Sequence, residues 1–544
     1  MSFQAALESF QIRTNLDLAD TYEKLRTEYG SSVPSKAELA REIAEAEKEM
    51  DGCEAQVHRL QCHIQLLQHH RRRLDEYTMC LRSLMAPLRK LPNELMLRIF
   101  DWACEMNDLT SGRLQTMPAL TISCVCSHWR DLAKSYPRLW SRICVDLTEM
   151  HLDRRDLTLL ETYLELSQES PLSIEILGHK LETLEPRQAA LCSMLGSYSE
   201  RWQELIVSQP TFYKALLTHD PNHFPLLDSL TISNFGFRLP GSLDRFQDAS
   251  RLQSLSLLSF PLAKVHKSNF PWQQLTSLNI CSYSKEIKSL MEASSNLTEL
   301  SFREWEDGTF KRNSFPVVAP TVRALSFSVS QTSHHESESL IDVVLSSTTF
   351  PALTSLYIDR IDVKEDYEHP WPKDIVQNFL SRSRCTLTTL SLKSIPIVDE
   401  DLIDLLRRLP SLLHLAIDDS SVTAHNSPIT LRFIQSLHAF RYNGRSSSSS
   451  ILVRKLQSLS LTFSGFGPKS FSDRDFVGVV SSRWYSGCYT DNSEIGTACL
   501  SSVVMRFLHR DVSDDVYAPL KHLEEAGMRV VILAQPKLPS LYSK

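Results

Sequence analysis

Glycine is scarce in this chain, 15 of 544 residues, against the roughly 7% of average usage. Folds built on many tight glycine turns, and phosphate-cradling loops with them, are disfavoured. No run of about 18 apolar residues appears, so no segment reads as a membrane span. Met1 to Asp20 lacks a basic stretch followed by an apolar one, so no secretory signal is expected. The 12 cysteines form no Cys-x-x-Cys pair. In a long chain without a signal this reads as reduced, mostly buried thiols and a cytoplasmic or nuclear protein. Neither sign of charge dominates: 58 basic against 65 acidic residues give a net charge of −7. A chain so balanced is not built around a polyanion.

Catalytic motifs are missing as well. There is no GxSxG elbow, no HExxH and no P-loop, and Gly465-Phe466-Gly467-Pro468-Lys469 lacks the required glycine and Ser/Thr spacing. His334-His335-Glu336 has no second ligand phrase nearby. The expectation is a protein that is not an enzyme and uses no cofactor and no metal. What the chain does have is an ordinary globular balance, 42% hydrophobic and 23% charged, which excludes wholesale disorder. Its length fits three or four domains or one elongated array.

After a polar and helical segment, 1–34, the first organised stretch is a long helix over 35–87. Ser35 followed by Glu38 predicts a capping box. From Leu39 an alternating 4,3 spacing runs through Ile43, Ala46, Met50, Cys53, Val57 and Leu60. It continues through Ile64, Leu67, Arg71, Leu74, Thr78, Leu81, Met85 and Leu88, broken only at Arg71 and Thr78. Such a seam predicts a coiled coil, either as a homodimer or folded back on its own chain, and Pro87 should end it. Cys53, His58, Cys62 and His63 lie on different faces of that helix and read as structural rather than zinc ligands. His69-His70-Arg71-Arg72-Arg73 reads as a solvated face, with contact to an acidic partner as the alternative.

Two short amphipathic phrases follow. Leu91-Pro92-Asn93-Glu94-Leu95 leads to Ile99-Phe100, with Leu95, Ile99 and Trp102 spaced as one helical stripe. About 25 residues later comes Val125-Cys126-Ser127-His128-Trp129-Arg130-Asp131-Leu132-Ala133, and Ile122, Val125, Trp129 and Leu132 again share helical spacing. Physics alone predicts a small helical unit. The paired phrases, L-P-x-E-L-x-x-x-I-F and V-C-x-x-W-R-x-L-A, resemble an F-box over 88–140. The whole chain resembles fungal-type F-box proteins with an N-terminal coiled coil and irregular leucine-rich repeats. That resemblance implies docking on a Skp-type adaptor, and through it on a cullin–RING ubiquitin ligase. Leu91 and Pro92 would face the adaptor, Leu95, Ile99 and Phe100 would be shared between interface and core, and Val125, Trp129 and Leu132 would build mostly core, with Val125 and Trp129 also counted among the adaptor-binding residues. The stretch Glu105 to Ala119 is longer than a minimal linker.

Beyond an entry segment, 141–200, an apolar-x-x-Leu-x-apolar phrase recurs. Its central residues are Leu205, Leu230, Leu255, Leu278, Leu300, Leu325, Leu356, Leu390, Leu415, Leu437 and Leu459. Successive intervals are 25, 25, 23, 22, 25, 31, 34, 25, 22 and 22 residues, mostly inside the 20–29 of leucine-rich repeats. The copy at Ile434-Leu437-Ala439 is the weakest. Helical segments, the clearest from Asp399 to Arg408, separate the phrases. Units of this size bury their apolar side only by stacking, so 201–544 is expected to be an irregular solenoid closed by a strand–helix–strand cap. An insertion at Asp359 to Lys373 carries Tyr367, His369 and Trp371, candidate contacts to a target protein. The expected class is α/β overall: a coiled-coil helix, a small all-α unit, then the solenoid. Its expected role is substrate receptor of a ubiquitin ligase, with a non-catalytic scaffold outside any ligase as the alternative. No nucleic-acid or membrane partner is expected.

Overall fold

A computed structural model of the chain describes residues 17–27, 35–148, 154–178, 184–208, 211–213, 215, 223–233, 243–258, 269–281, 287–304, 316–330, 339–361, 370–423, 426–439, 451–464, 471–484, 498–508 and 512–535. The chain divides into two compact units, Met1–Met96 and Leu97–Lys544.

In the first unit, α1 (Leu18–Thr27) precedes the long α2 (Lys36–Leu84). The capping box is present at the start of α2. Glu38 N–H donates to Ser35 Oγ at 3.3 Å, and Ser35 N–H donates to Glu38 Oε2 at 3.1 Å, satisfying two otherwise orphaned donors. The helix stops short of Pro87, which opens a single 3-10 turn, Pro87–Lys90. No residue of α2 is buried. Helix α3 (Asn93–Ala103) follows directly after Pro92 and runs across the boundary between the units.

The second unit is a ladder. Its members are β1 (Asn107–Asp108), β2 (Arg142–Asp146), β3 (Leu172–Leu177), β4 (Trp202–Val207), β5 (Ser229–Ile232), β6 (Ser254–Leu257), β7 (Ser277–Ile280), β8 (Glu299–Arg303), β10 (Ala324–Val329), β12 (Ser355–Arg360), β13 (Thr389–Lys393), β14 (His414–Asp418), β15 (Ser458–Phe463), β16 (Ser502–Leu508) and β17 (Arg529–Gln535). Among the described residues these fifteen strands form one parallel sheet, in sequence order, and β9 (Val317–Val318) pairs separately with β11 (Thr348–Thr349). A parallel sheet in which each strand neighbours the next in sequence is the geometry of a solenoid: every repeat touches only its two neighbours.

The repeat phrase explains the ladder. Its central leucines stand in register from Leu205 on β4 to Leu459 on β15, and none of them is more than 2% exposed. Each such side chain contributes about 1.5–3 kcal/mol by burial. Alternate residues point to the other side and are mostly half-exposed. Helices or turns return the chain behind the sheet; Asp399–Arg407 carries three acidic residues in its first turn and Arg407 in its last, matching the helix dipole.

One expected strand is a helix instead. Ile434 and Leu437 belong to Leu431–Ser436 and the residue after it, and β14 pairs directly with β15. The i, i+3 spacing of that phrase serves a helix face as well as a strand, and the cap decided it, with Phe433 N–H donating to Thr430 Oγ1 at 3.2 Å. At the C-terminal end, helix Asp514–Glu525 turns through Gly527, at φ 102°, into β17. No helix among the described residues is long and apolar enough to cross a membrane.

Candidate protein-docking site

Helix α3 carries two apolar faces. Met96 and Phe100, four apart, are buried, while Leu95, Ile99 and Trp102 are 48%, 45% and 81% exposed. The sequence pattern marks Leu95, Ile99 and Trp102 as one stripe, and the F-box resemblance shares Leu95 and Ile99 between interface and core. The stripe is open because the adjacent Met96–Phe100 face takes the burial, with Phe100 against Trp129 at 4.9 Å between ring centroids, tilted by 57°. That tilted contact is a favoured aromatic geometry. Leu91 is half-buried and Pro92 exposed, just ahead of α3.

The second helical phrase is two helices rather than one. Helix α4 (Pro118–Val125) ends at Cys126, whose backbone is extended, and α5 (Ser127–Lys134) begins there with Cys126 Sγ accepting from Trp129 N–H at 3.5 Å. This break turns Val125 outward, 57% exposed, whereas Leu132 is buried and Trp129 half-buried. Val125 is therefore not a core residue, contrary to its helical spacing.

The stretch between the two phrases has a definite job. It forms β1, which pairs with β2 as the first rung of the ladder. Fully buried Asn107 sits at the join. Its Nδ2 donates to the carbonyls of Leu139 and Arg142 at 3.0 and 2.9 Å, and its Oδ1 accepts from Ala119 N–H at 3.0 Å and from the Tyr163 hydroxyl at 3.3 Å. Arg142 adds an ion pair to Asp101 at 2.7 Å, and Trp140 Nε1 donates to Ala133 O at 2.8 Å. Burial raises the Cys104 thiol pKa, offset in part by its hydrogen bond from Asn107. The C-terminal turn of α3, α4, α5 and the first two rungs are thus one hydrogen-bonded block. No periodicity could have announced Asn107, a buried polar residue in a loop.

The open face of the sheet is lined by small polar residues in register. Ser229, Ser254 and Ser277 form one row, and Thr231, Ser256, Asn279 and Ser301 the next. Further along, Tyr357 is exposed and Lys393 pairs with Asp359 at 3.4 Å. Of the three candidate target contacts, Tyr367 and His369 lie outside the described residues. Trp371 is half-buried, its carbonyl accepting from Lys373 N–H at 2.9 Å. The Lys373 ammonium is held above its ordinary range by hydrogen bonds to Asp401 and Asp404, 2.7 and 2.8 Å away.

Two buried carboxylates cap strand exits. Glu304, after β8, accepts from Ser330 N–H at 2.7 Å, and Asp419, after β14, accepts from Ser464 N–H at 2.7 Å and from the Ser427 hydroxyl. Burial raises both pKa values, that of Asp419 to about 6. A cleft of about 580 Å³ lies at the N-terminal ends of β2 to β5, lined by Glu105, Arg138, Arg142, Glu204 and Asp228 among others. Both of its arginines are already paired with Asp101. Among the described residues no three His, Cys, Asp or Glu side chains converge as metal ligands.

Residues 88–146 match the F-box-like family model, so the chain carries an F-box-like domain that contains α3, α4, α5 and the first two rungs. No curated protein matches the chain. Among solved structures it is similar to the crystal structure of a TLR13–ssRNA13 complex, with 14% identity and a TM-score of 0.31. That match covers 74% of this chain and 56% of the other, so the chain spans just over half the length of that protein.

Proposed function

We propose that this chain is the substrate-recognition subunit of a Skp–cullin–F-box type ubiquitin ligase. The observation that carries the reading is the open Leu95–Ile99–Trp102 stripe on α3, inside the F-box-like match. An apolar stripe on a helix whose other face is already packed is a surface for a partner, and F-box domains bind Skp-type adaptors. Leu91, Pro92, Leu95 and Ile99 would meet the adaptor, with Val125 beside them in role, while Phe100 and Trp129 hold α3 in place. The open face of the ladder would bind the target protein. Ubiquitin transfer would be the work of other subunits, and this chain would act by position, raising the effective concentration of target lysines near the charged carrier. Such an assembly works in the cytoplasm or nucleus, and the chain itself would be no enzyme.

The test is recovery of a Skp-type adaptor with the full chain. Each buried apolar side chain contributes about 1.5–3 kcal/mol, so Leu95→Asp with Ile99→Asp should weaken capture by at least ~100-fold. Equal recovery by the double variant would sink the docking assignment. An adaptor complex that never contains a cullin would point to the scaffold reading instead.

A further inference from the structure

We propose that α2 pairs antiparallel with α2 of a second copy of this chain. The helix has 49 residues and none of them is buried, yet its seam is apolar: Ile43, Val57 and Ile64 are 57%, 53% and 53% exposed. At 1.5 Å per residue it is about 73 Å long. Residues 1–34 fall short of covering it, since even one continuous helix of that length would reach only about 51 Å. A second α2 matches end to end. A seam about 73 Å long and 10 Å wide covers roughly 700 Å² per copy, close to the ~800 Å² per partner of a standard stable interface.

The seam composition sets the number of strands and the charges set their direction. In heptad terms Ile43, Val57 and Ile64 fall at a, and Leu39, Leu60, Leu67, Leu74 and Leu81 at d. Branched residues at a with leucine at d favour two strands. A parallel pair in register would stack Arg71 on its own copy in the seam, and would set Glu42 beside Glu47 and Glu49 beside Glu54 across it. Like charges so placed repel. Reversing one helix removes all three clashes. With Val57 opposite Leu60 of the second copy, Ile43 meets Leu74, Met50 meets Leu67, and Arg71 meets the small Ala46, flanked on its face by Glu42 and Glu49. The two halves of the helix are also opposite in sign. Residues 36–59 hold seven acids and four bases, 4 − 7 = −3, and residues 60–84 hold four bases and two acids, 4 − 2 = +2. Antiparallel pairing brings each half against its complement.

The same registration puts Cys53 opposite residue 64 of the second copy, and some 16 Å from Cys53 of that copy at 1.5 Å per residue. The full chain with Cys62→Ser, Cys80→Ser and Ile64→Cys is therefore oxidised mildly and its cross-linked peptides sequenced, and the mass of the unmodified chain is measured in solution. Expected are a particle of twice 62.1 kDa and a crosslink between Cys53 of one copy and residue 64 of the other. Leu60→Asp with Leu67→Asp should return the mass to that of one chain, and removal of residues 1–34 should leave it doubled. A Cys53–Cys53 crosslink would overturn the direction. A full chain of single mass whose seam is protected by residues 1–34 would overturn the pairing itself.

Discussion

Asn107 offers the sharpest test of the claim that the last turn of α3, helices α4 and α5 and the first rungs of the ladder are one block. Replacing it with leucine keeps the volume but removes both donors and the acceptor of a fully buried side chain. Three buried groups lose this partner: the carbonyl of Arg142, the N–H of Ala119 and the hydroxyl of Tyr163, while the Leu139 carbonyl keeps the Cys104 thiol at 3.5 Å. An orphaned buried polar group costs about 1–3 kcal/mol, so the minimum loss is about 3 kcal/mol, or roughly 100-fold in the local opening equilibrium. Solenoid stability is close to a sum of nearest-neighbour terms, so the loss should stay local. Hydrogen exchange followed by mass spectrometry resolves this. Peptides over β1, α4 and β2 should exchange about 100-fold faster in Asn107→Leu, and those over β12 to β14 less than about 3-fold faster. Unchanged exchange around β1 would refute the hub. A uniform acceleration along the whole sheet would refute the nearest-neighbour reasoning.

Other expectations follow from the same geometry. Phe100→Ala, at a buried position, should cost about 3–5 kcal/mol by cavity formation, whereas Ile99→Asp on the open face should change stability by less than about 0.5 kcal/mol while weakening adaptor capture by at least ~10-fold; thermal melts with pull-downs separate the two. Asp419 has a raised folded pKa, so the folded state holds its proton more tightly than the unfolded chain does. Its contribution is therefore present below pH 4 and is lost as pH rises towards about 6. Asp419→Asn, whose amide can still accept from Ser464 N–H and donate to Ser427, should flatten stability over that interval, as read by denaturant titrations at stepped pH. A slope identical to the parent protein would count against the buried-carboxyl account. Lys373→Ala should leave Asp404 with Arg407 alone, at 2.7 Å, and since its pKa is lowered chiefly by the hydrogen bond from Lys373, NMR titration of that carboxyl should find it moved upward.

Much of this architecture is written in the order of the residues. Ser35 and Glu38 announce the start of α2, and each repeat phrase places a leucine where the parallel ladder buries it. These signals are local, and a local rule reads them. Three features escaped for a common reason: they depend on who covers a surface, and periodicity does not record that. The two stripes of α3 are equally apolar, and only the packing of Phe100 on Trp129 tells which is free. Val125 continues the spacing of Ile122, but the extended backbone at Cys126 swings it outward. Strand β1 has two residues, too short for any alternation, and exists because Asn107 ties it down. The Ile434 phrase shows the converse error, a strand pattern satisfied by a helix. On α3, Leu95, Ile99 and Trp102 are legible from sequence as a stripe, and the F-box resemblance gives Leu95 and Ile99 a share in an interface; that Phe100 is wholly buried is not legible there.

The ladder is also a ruler. From β1 to β17 the sheet takes fourteen steps in strict chain order, and neighbouring strands sit about 4.8 Å apart. Whatever is gripped at a given rung is therefore held at a distance from the F-box-like end that is counted in whole rungs. Gain or loss of one repeat would move every later rung by one increment and disturb no other contact. Lineages descended from such a chain can change the span between grip and anchor by copying or deleting a single unit, leaving the anchoring chemistry at Asn107 untouched.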